Sequence, residues 1–351
     1  MDLAPVLTAL RTRPALAHLT EGDLAPLPAT GTAHGHVRIV PAIEGRRLLA
    51  RVAYAHPGDR GAAARLHRQA AAFRHVAPSG LTPRLFDLVE PGERLPGGAL
   101  IVDAIDGRAP RLPREMTAIA ETLAALHRLP TPAAASPLPR QDNPFLATLA
   151  VVEHHAARFL DHAVPEARAR AELGEELSEL RGMGLALGKR AQPISLALGD
   201  THPGNFVVDQ TGKAWFVDLE KVHAGSAAID LAHASLPTST RWSPGEGCVL
   251  SPDALRLFHS HYLARIDGAV AKALKPWLMP MRRLTWLRGM VFFCRWRVQT
   301  RAPRDPQDPD QWSDAGMAPA MKAHLDERID DCFRADSIRA MRTEWQGDFF
   351  Q

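Results

Sequence analysis

Residues 199–220 read GDTHPGNFVVDQTGKAWFVDLE. Two short apolar runs, 205–208 and 214–217, flank a DQTGK turn, and this pattern predicts a β hairpin. Polar groups gather at its ends. Asp200 lies on the loop that enters, Asn205 begins the first strand, and Asp218 follows the second. Folding the hairpin back on itself sets Asn205 and Asp218 side by side at its open end. Two carboxylates and an amide are costly near a core unless something binds there. Hard oxygen donors suit Mg²⁺, which takes one or two carboxylates together with substrate phosphates.

Around this hairpin the chain changes character. Residues 1 to about 110 are strand-rich, with short β-type runs at 36–40, 48–54, 82–90 and 98–105. One Ala-rich helix from Gly61 interrupts them and is stopped by PSG. From residue 112 helical periodicity takes over, with Met116, Ile119, Ala120, Leu123 and Leu126 on one face. Helices are expected at about 146–162, 166–190, 252–266, 268–298 and 316–334, after a Pro-rich connector at 131–144. This predicts an α+β chain of two lobes: a small antiparallel β lobe with one helix (1–110) and a larger, mainly helical lobe (111–351).

Composition narrows the function classes. With 42 basic and 39 acidic residues, the formal charge of +3 makes no electrostatic case for a nucleic-acid partner. Cys248, Cys294 and Cys332 are far apart and form no CxxC pair, which argues against zinc or a disulfide framework and for a reducing compartment. The N-terminus lacks a basic region followed by an apolar one, and no run of about 18 uncharged apolar residues exists. A soluble, cytoplasmic protein without a membrane partner, monomeric or homodimeric, is expected. GMGLALGKR (182–190) has the wrong glycine spacing for a phosphate loop. His154–His155 and His259/His261 do not share a helix face as metal ligands would. Trp277, Trp286, Trp296 and Trp312 are expected in the core and a pocket wall.

The strings GDTHPGNFVV, FVDLE and AAIDLAHA together resemble the HGDxHPGN, IDWE and DLA pattern of the aminoglycoside phosphotransferase and choline kinase family, which has a protein-kinase-like fold. LAALHRLP (123–130) and LIVDAIDGRAP (100–110) match the family's helix and hinge, so the likeness spans most of the chain. It implies a phosphotransferase that uses ATP (or GTP) and Mg²⁺ on a small-molecule hydroxyl. By that resemblance Asp200 is the catalytic base, and Asn205 and Asp218 hold Mg²⁺. Glu220 sits where many choline-kinase-like members are acidic and takes a second-metal or supporting role. His202 and Pro203 shape the loop. Asp230 either braces the catalytic loop or caps the helix beginning near it. The hinge, Val102, Asp103, Ala104 and Ile105, offers backbone groups to adenine.

This chain departs from the pattern at four places. Leu198 stands where the family has His before the Gly. Arg51 in LLARVAY takes the place of the phosphate-holding Lys, and Gln69 that of its helix Glu. The loop GTAHGHV (31–37) is not G-x-G-x-x-G. Three functions follow: a kinase for an amino sugar, sugar or related metabolite; a choline- or ethanolamine-type kinase, favoured by Glu220 and aromatics for cation–π contact; or a nucleotide-binding pseudokinase scaffold. Retention of Asp200, Asn205 and Asp218 opposes the last. The acceptor region is expected within 250–335. There an acidic stretch, DPQDPDQWSD, favours a cationic acceptor, and Arg295, Arg297 and Arg301 favour an anionic one.

Overall fold

The structure is a computed structural model and describes residues 1–28, 34–55, 59–188, 190–245, 247–303, 305, 311–314, 317–345 and 347. Two units compose the chain. One takes Met1–Ala109, Pro132–Pro139 and Phe206–Val222, and the other Pro110–Thr131, Arg140–Asn205 and His223–Gln351.

In the first unit, helix α1 (Leu3–Leu10) precedes strands β1 (Leu24–Pro26), β2 (His34–Ile43) and β3 (Arg46–Ala53). Helix α2 (Ala62–Val76), β4 (Leu85–Val89) and β5 (Ala99–Asp103) follow. The strands form one antiparallel sheet in the order β1-β2-β3-β5-β4. Alternation along β2 and β3 decides its faces. Val37 and Ile39 pair with Ala50 and Leu48, and all four are buried in a core shared with Val6, Leu10 and Leu16. Each such Leu, Ile or Val contributes about 1.5–3 kcal/mol through burial. The other face brings His36 opposite Arg51. Phe73 of α2 meets the Arg51 guanidinium there, at 5.5 Å from the ring centre.

Helices α3 (Met116–His127), α4 (Pro144–Ala163) and α5 (Ala167–Leu187) come next, then the short strands β6 (Ser195–Ala197), β7 (Phe206–Val208), β8 (Ala214–Phe216) and β9 (His223–Gly225). Helices α6 (Ala227–Ser235), α7 (Pro237–Thr240), α8 (Pro252–Leu263), α9 (Gly268–Arg301), α10 (Pro319–Cys332) and α11 (Ala335–Glu344) complete the chain. The expected hairpin is β7–β8, with Phe206 opposite Phe216. Although it lies in sequence among helices, its bonding belongs to the first unit. Phe216 N–H donates to the Leu81 carbonyl at 2.9 Å, and Arg108 and Val208 exchange backbone bonds of 3.1 and 2.8 Å.

The second unit is built around α9, which packs along α4 and α6. Trp277 and Trp286 are buried there, as expected, and Trp277 packs on Phe145 at 6.4 Å. Charges lock α5 in place. Glu176 is fully buried and takes Arg283 of α9 at 2.8 Å and Arg342 of α11 at 3.3 Å. Strands β6 and β9 pair with each other within this unit. Three residues are too few to show a period of two, so the sequence carries no sign of them. Helices α1, α7 and α11 likewise go beyond the sequence-based expectation, and α6 begins at Ala227, ahead of Asp230 rather than just after it.

Candidate active site

The loop after β6 carries Leu198, Gly199 and Asp200. Gly199 has a φ of +78°, a left-handed conformation that a side chain at that position disfavours. The Asp230 carboxylate, fully buried on α6, accepts from Leu198 N–H at 2.6 Å and Gly199 N–H at 2.9 Å. Thr201 Oγ1 donates to the Asp230 carbonyl at 2.7 Å. His127 of α3 completes the arrangement, with Nε2 3.0 Å from the carboxylate and Nδ1 2.9 Å from the Tyr262 hydroxyl. Burial alone would push the Asp230 carboxyl up, but the bonds from His127 and the two amides outweigh it and hold the group below the usual carboxylate range.

Asp230 therefore braces the loop. The N-cap alternative is corrected by Ser226, whose hydroxyl accepts from Ala228 N–H and begins α6. The brace also answers the departure at Leu198. Its side chain is buried, and its backbone amide, rather than a histidine ring, anchors the loop.

On this fastened loop the Asp200 side chain is 19% exposed. Its Oδ1 lies 3.7 Å from His233 Nδ1 and 3.9 Å from His202 Nε2. Asn205 donates its amide nitrogen to the Asp200 carbonyl at 2.9 Å. A carbonyl only accepts, so the amide orientation is decided and Asn205 Oδ1 is left as an oxygen donor for a cation. Gly204 packs closely: a Cβ there would meet the His202 ring at 2.9 Å, so the ring would have to shift.

In the first unit, Arg51 is buried and donates to the Val217 carbonyl at 2.6 Å and to Asp218 Oδ1 at 3.1 Å. A surface-strand charge is thereby excluded. Among the described residues the Arg51 guanidinium bonds to Val217 and Asp218 and not to Gln69. Burial, helped by the Arg51 charge, pushes His34 and His36 down to about 4, so both are neutral at pH 7. Glu220 lies 3.9 Å from His34 Nδ1 and 4.0 Å from Lys221 Nζ.

At the hinge, Val102 is buried within the sheet. Asp103 takes Arg46 and Arg84 on its carboxylate at 2.7 and 2.8 Å. Its N–H donates to the Arg84 carbonyl at 3.0 Å, and Ala104 N–H to the Arg47 carbonyl at 2.8 Å. Of the three amides from 103 to 105, only that of Ile105 lacks an intramolecular acceptor among the described residues.

Sequence reasoning passed over His34, His36, His127, His233 and Tyr262. A register argument could have found His36, since it lies opposite Arg51. The others depend on tertiary contacts. Residues 31–33 of the expected phosphate-covering loop and residues 306–310 of the acidic stretch lie outside the described residues. Among the described residues no group of three or more His, Cys, Asp or Glu could hold a metal ion, and no helix is long and apolar enough to cross a membrane. The three cysteines are free.

A small antiparallel-sheet unit bearing the helices α1 and α2, followed by a larger helical unit with a braced Asp loop, defines the protein-kinase-like fold class. The phosphotransferase enzyme family matches residues 41–269, and the chain belongs to that family. It is a phosphotransferase, of the class that takes a hydroxyl acceptor. Choline kinase from Cryptosporidium parvum is similar at 14% identity, covering 99% of this chain and 100% of its own, with a TM-score of 0.58. An amicoumacin kinase bound to AMP-PNP and Ca²⁺ gives 14%, 90%, 89% and 0.56 in the same order. A thermostable aminoglycoside phosphotransferase mutant, in ternary complex with ADP and hygromycin B, gives 16%, 89%, 94% and 0.54. At these identities the structural likeness concerns the fold. No curated protein matches the chain.

Proposed function

We propose that this protein is an ATP-dependent small-molecule kinase that transfers the γ-phosphoryl group to a hydroxyl of an amino sugar, sugar or related metabolite. The observation that carries the reading is a solvent-reachable Asp200 on a loop fastened from beneath by fully buried Asp230. A base must be held rigidly yet reach its substrate, and this arrangement does both. Region 1–110 serves as the nucleotide-binding lobe and 111–351 as the catalytic and substrate lobe.

Phosphoryl transfer asks for positioning and charge neutralisation more than covalent help. Asp200 accepts or orients the acceptor's hydroxyl proton. Asn205 Oδ1 and the Asp218 carboxylate are the oxygen donors for Mg²⁺, with Glu220 in support. Two protein donors fit a cation that completes its coordination with phosphates and water. When bound, Mg²⁺ neutralises the phosphate charge. Arg51 supplies permanent positive charge for the phosphates.

The test is an ADP-release assay with Mg·ATP across a panel of alcohols, with phosphate esters identified by mass spectrometry. A phosphorylated sugar or amino sugar supports the reading, and product from choline or ethanolamine alone replaces it with the amino-alcohol reading. Nucleotide binding without transfer to any alcohol makes the protein a scaffold.

Two further expectations concern the nucleotide. Arg51→Ala weakens Mg·ATP binding by about 10- to 100-fold, the scale of a lost charge-assisted hydrogen bond, and Arg51→Lys retains part of it. An unchanged Kd in Arg51→Ala removes Arg51 from the phosphate site. At the hinge, Asp103 and Ala104 amides are protected from exchange before nucleotide arrives, because they are already bonded. Only Ile105 N–H gains protection on adding an ATP analogue. Equal exchange at Ile105 with and without it places adenine elsewhere.

A further inference from the structure

Helix α9 crosses the expected acceptor region and is rich in arginine, yet most of those arginines are committed. Arg283 holds Glu176 and Glu179, and Arg297 holds Asp330 and the Ala163 carbonyl. Arg295 bonds Gln299 at 2.9 Å and lies 4.3 Å from the ring centre of Trp312. These contacts remove them as recognition groups.

Arg288 is different. It is half-buried, and among the described residues its guanidinium makes no hydrogen bond or ion pair. It lies within charge–charge range of Asp200 and Asp230. Asp230 already accepts from Leu198, Gly199 and His127. Burial pushes the Arg288 pKa down, and the two carboxylates oppose that push. A guanidinium has five N–H donors. None of the Arg288 nitrogens is among the buried, partnerless side-chain atoms of the described residues, so the donors are open to solvent and within reach of a ligand that supplies acceptors.

The surroundings describe that ligand. Phe292 lies one helical turn beyond Arg288, on the same face of α9. Its ring centre is 6.5 Å from Trp242 and 4.5 Å from Trp312, and all three rings are half-buried. Trp242 in turn lies 6.0 Å from His202, whose Nε2 is 3.9 Å from Asp200. An aromatic wall thus runs from the proposed base to within a turn of Arg288. Aromatic faces suit a ring or carbon chain, and a guanidinium suits a carboxylate, which it grips bidentately. An ammonium head group would meet like charge there.

We propose that Arg288 selects the acceptor by pairing with a carboxylate on a hydroxyl-bearing small molecule that lies along Trp242 and Phe292. This rests on the kinase reading above and deepens it by naming the substrate class as hydroxy acids, sugar acids included.

The experiment compares each hydroxy acid with its own primary amide, alongside amino alcohols, in wild type and Arg288→Gln, with melting temperature as the folding control. Wild type is expected to favour the acids over their amides by about 100-fold in kcat/KM, the scale of a charge-assisted pair. Arg288→Gln is expected to abolish that preference through KM, with kcat for the amides unchanged. Wild type that uses acids no better than amides, or prefers amino alcohols, overturns the proposal. So does an Arg288→Gln loss of kcat on acids and amides alike, which makes Arg288 a positioning residue for Asp200. Should the variant fail to fold, the wild-type acid-to-amide ratio alone decides. Failure to phosphorylate any alcohol, with Mg·ATP bound, overturns the kinase reading itself.

Discussion

Asp200→Asn is expected to lower kcat by about 10²–10⁴-fold, or roughly 3–5 kcal/mol of barrier, the contribution of a positioned general base. The substitution keeps the side chain's shape and much of its hydrogen bonding while removing the proton acceptor and the charge. Loop geometry should survive, because the bonds that fasten it run through the backbone of Leu198 and Gly199 and the Thr201 hydroxyl, not through the Asp200 carboxylate. Melting temperature and Mg·ATP affinity should therefore stay near wild type. Asp218→Asn gives the contrast. It removes a charged oxygen donor and the charge facing Arg51, so the Mg²⁺ concentration needed for half-maximal rate rises. Turnover, Mg²⁺ titration and melting measured on both variants separate the roles. Full kcat in Asp200→Asn would end the assignment of this residue as base.

Asp230→Ala is expected to be the most damaging change to stability, by about 3–5 kcal/mol. It strands the Leu198 and Gly199 amides and the His127 ring in a buried site, and each loses the partner that made its burial tolerable. At this chain length such a loss lowers Tm by about 4–7 °C. Turnover falls as well, since the Asp200 loop hangs on these bonds. The pH dependence has a definite sign. The folded carboxyl titrates below its unfolded value of about 3.9, so the stability that comes from its ionisation is present above that pH. It is lost as pH falls through the folded value. The gap between wild type and Asp230→Ala is thus steady near neutrality and narrows only in acid. A Tm within a degree of wild type at pH 7 would show that the brace is dispensable.

Sequence alone determined the parts whose signals are local. Period-two runs marked β2 to β5, period-3.6 runs marked α2 to α5 and α8 to α10, and a turn between apolar pairs marked the hairpin. The loop string then singled out Asp200, Asn205 and Asp218, because the groups proposed to meet a metal nucleotide are closely spaced along the chain. The tertiary structure alone decided which polar groups satisfy one another. Arg51 meets Asp218 across 167 positions, and His127 meets Asp230 across 103. Neither residue's neighbours announce the partner. The hairpin's bonding to the sheet-bearing unit also depends on remote backbone groups, those of Leu81 and Arg108. Arg288 is the extreme case, an arginine among arginines in the sequence, set apart because, among the described residues, the other buried and half-buried arginines of α9 found partners and it did not. Periodicity reports which face of an element is buried. Whether a buried charge is paired, braced or left for a ligand depends on the path of the whole chain.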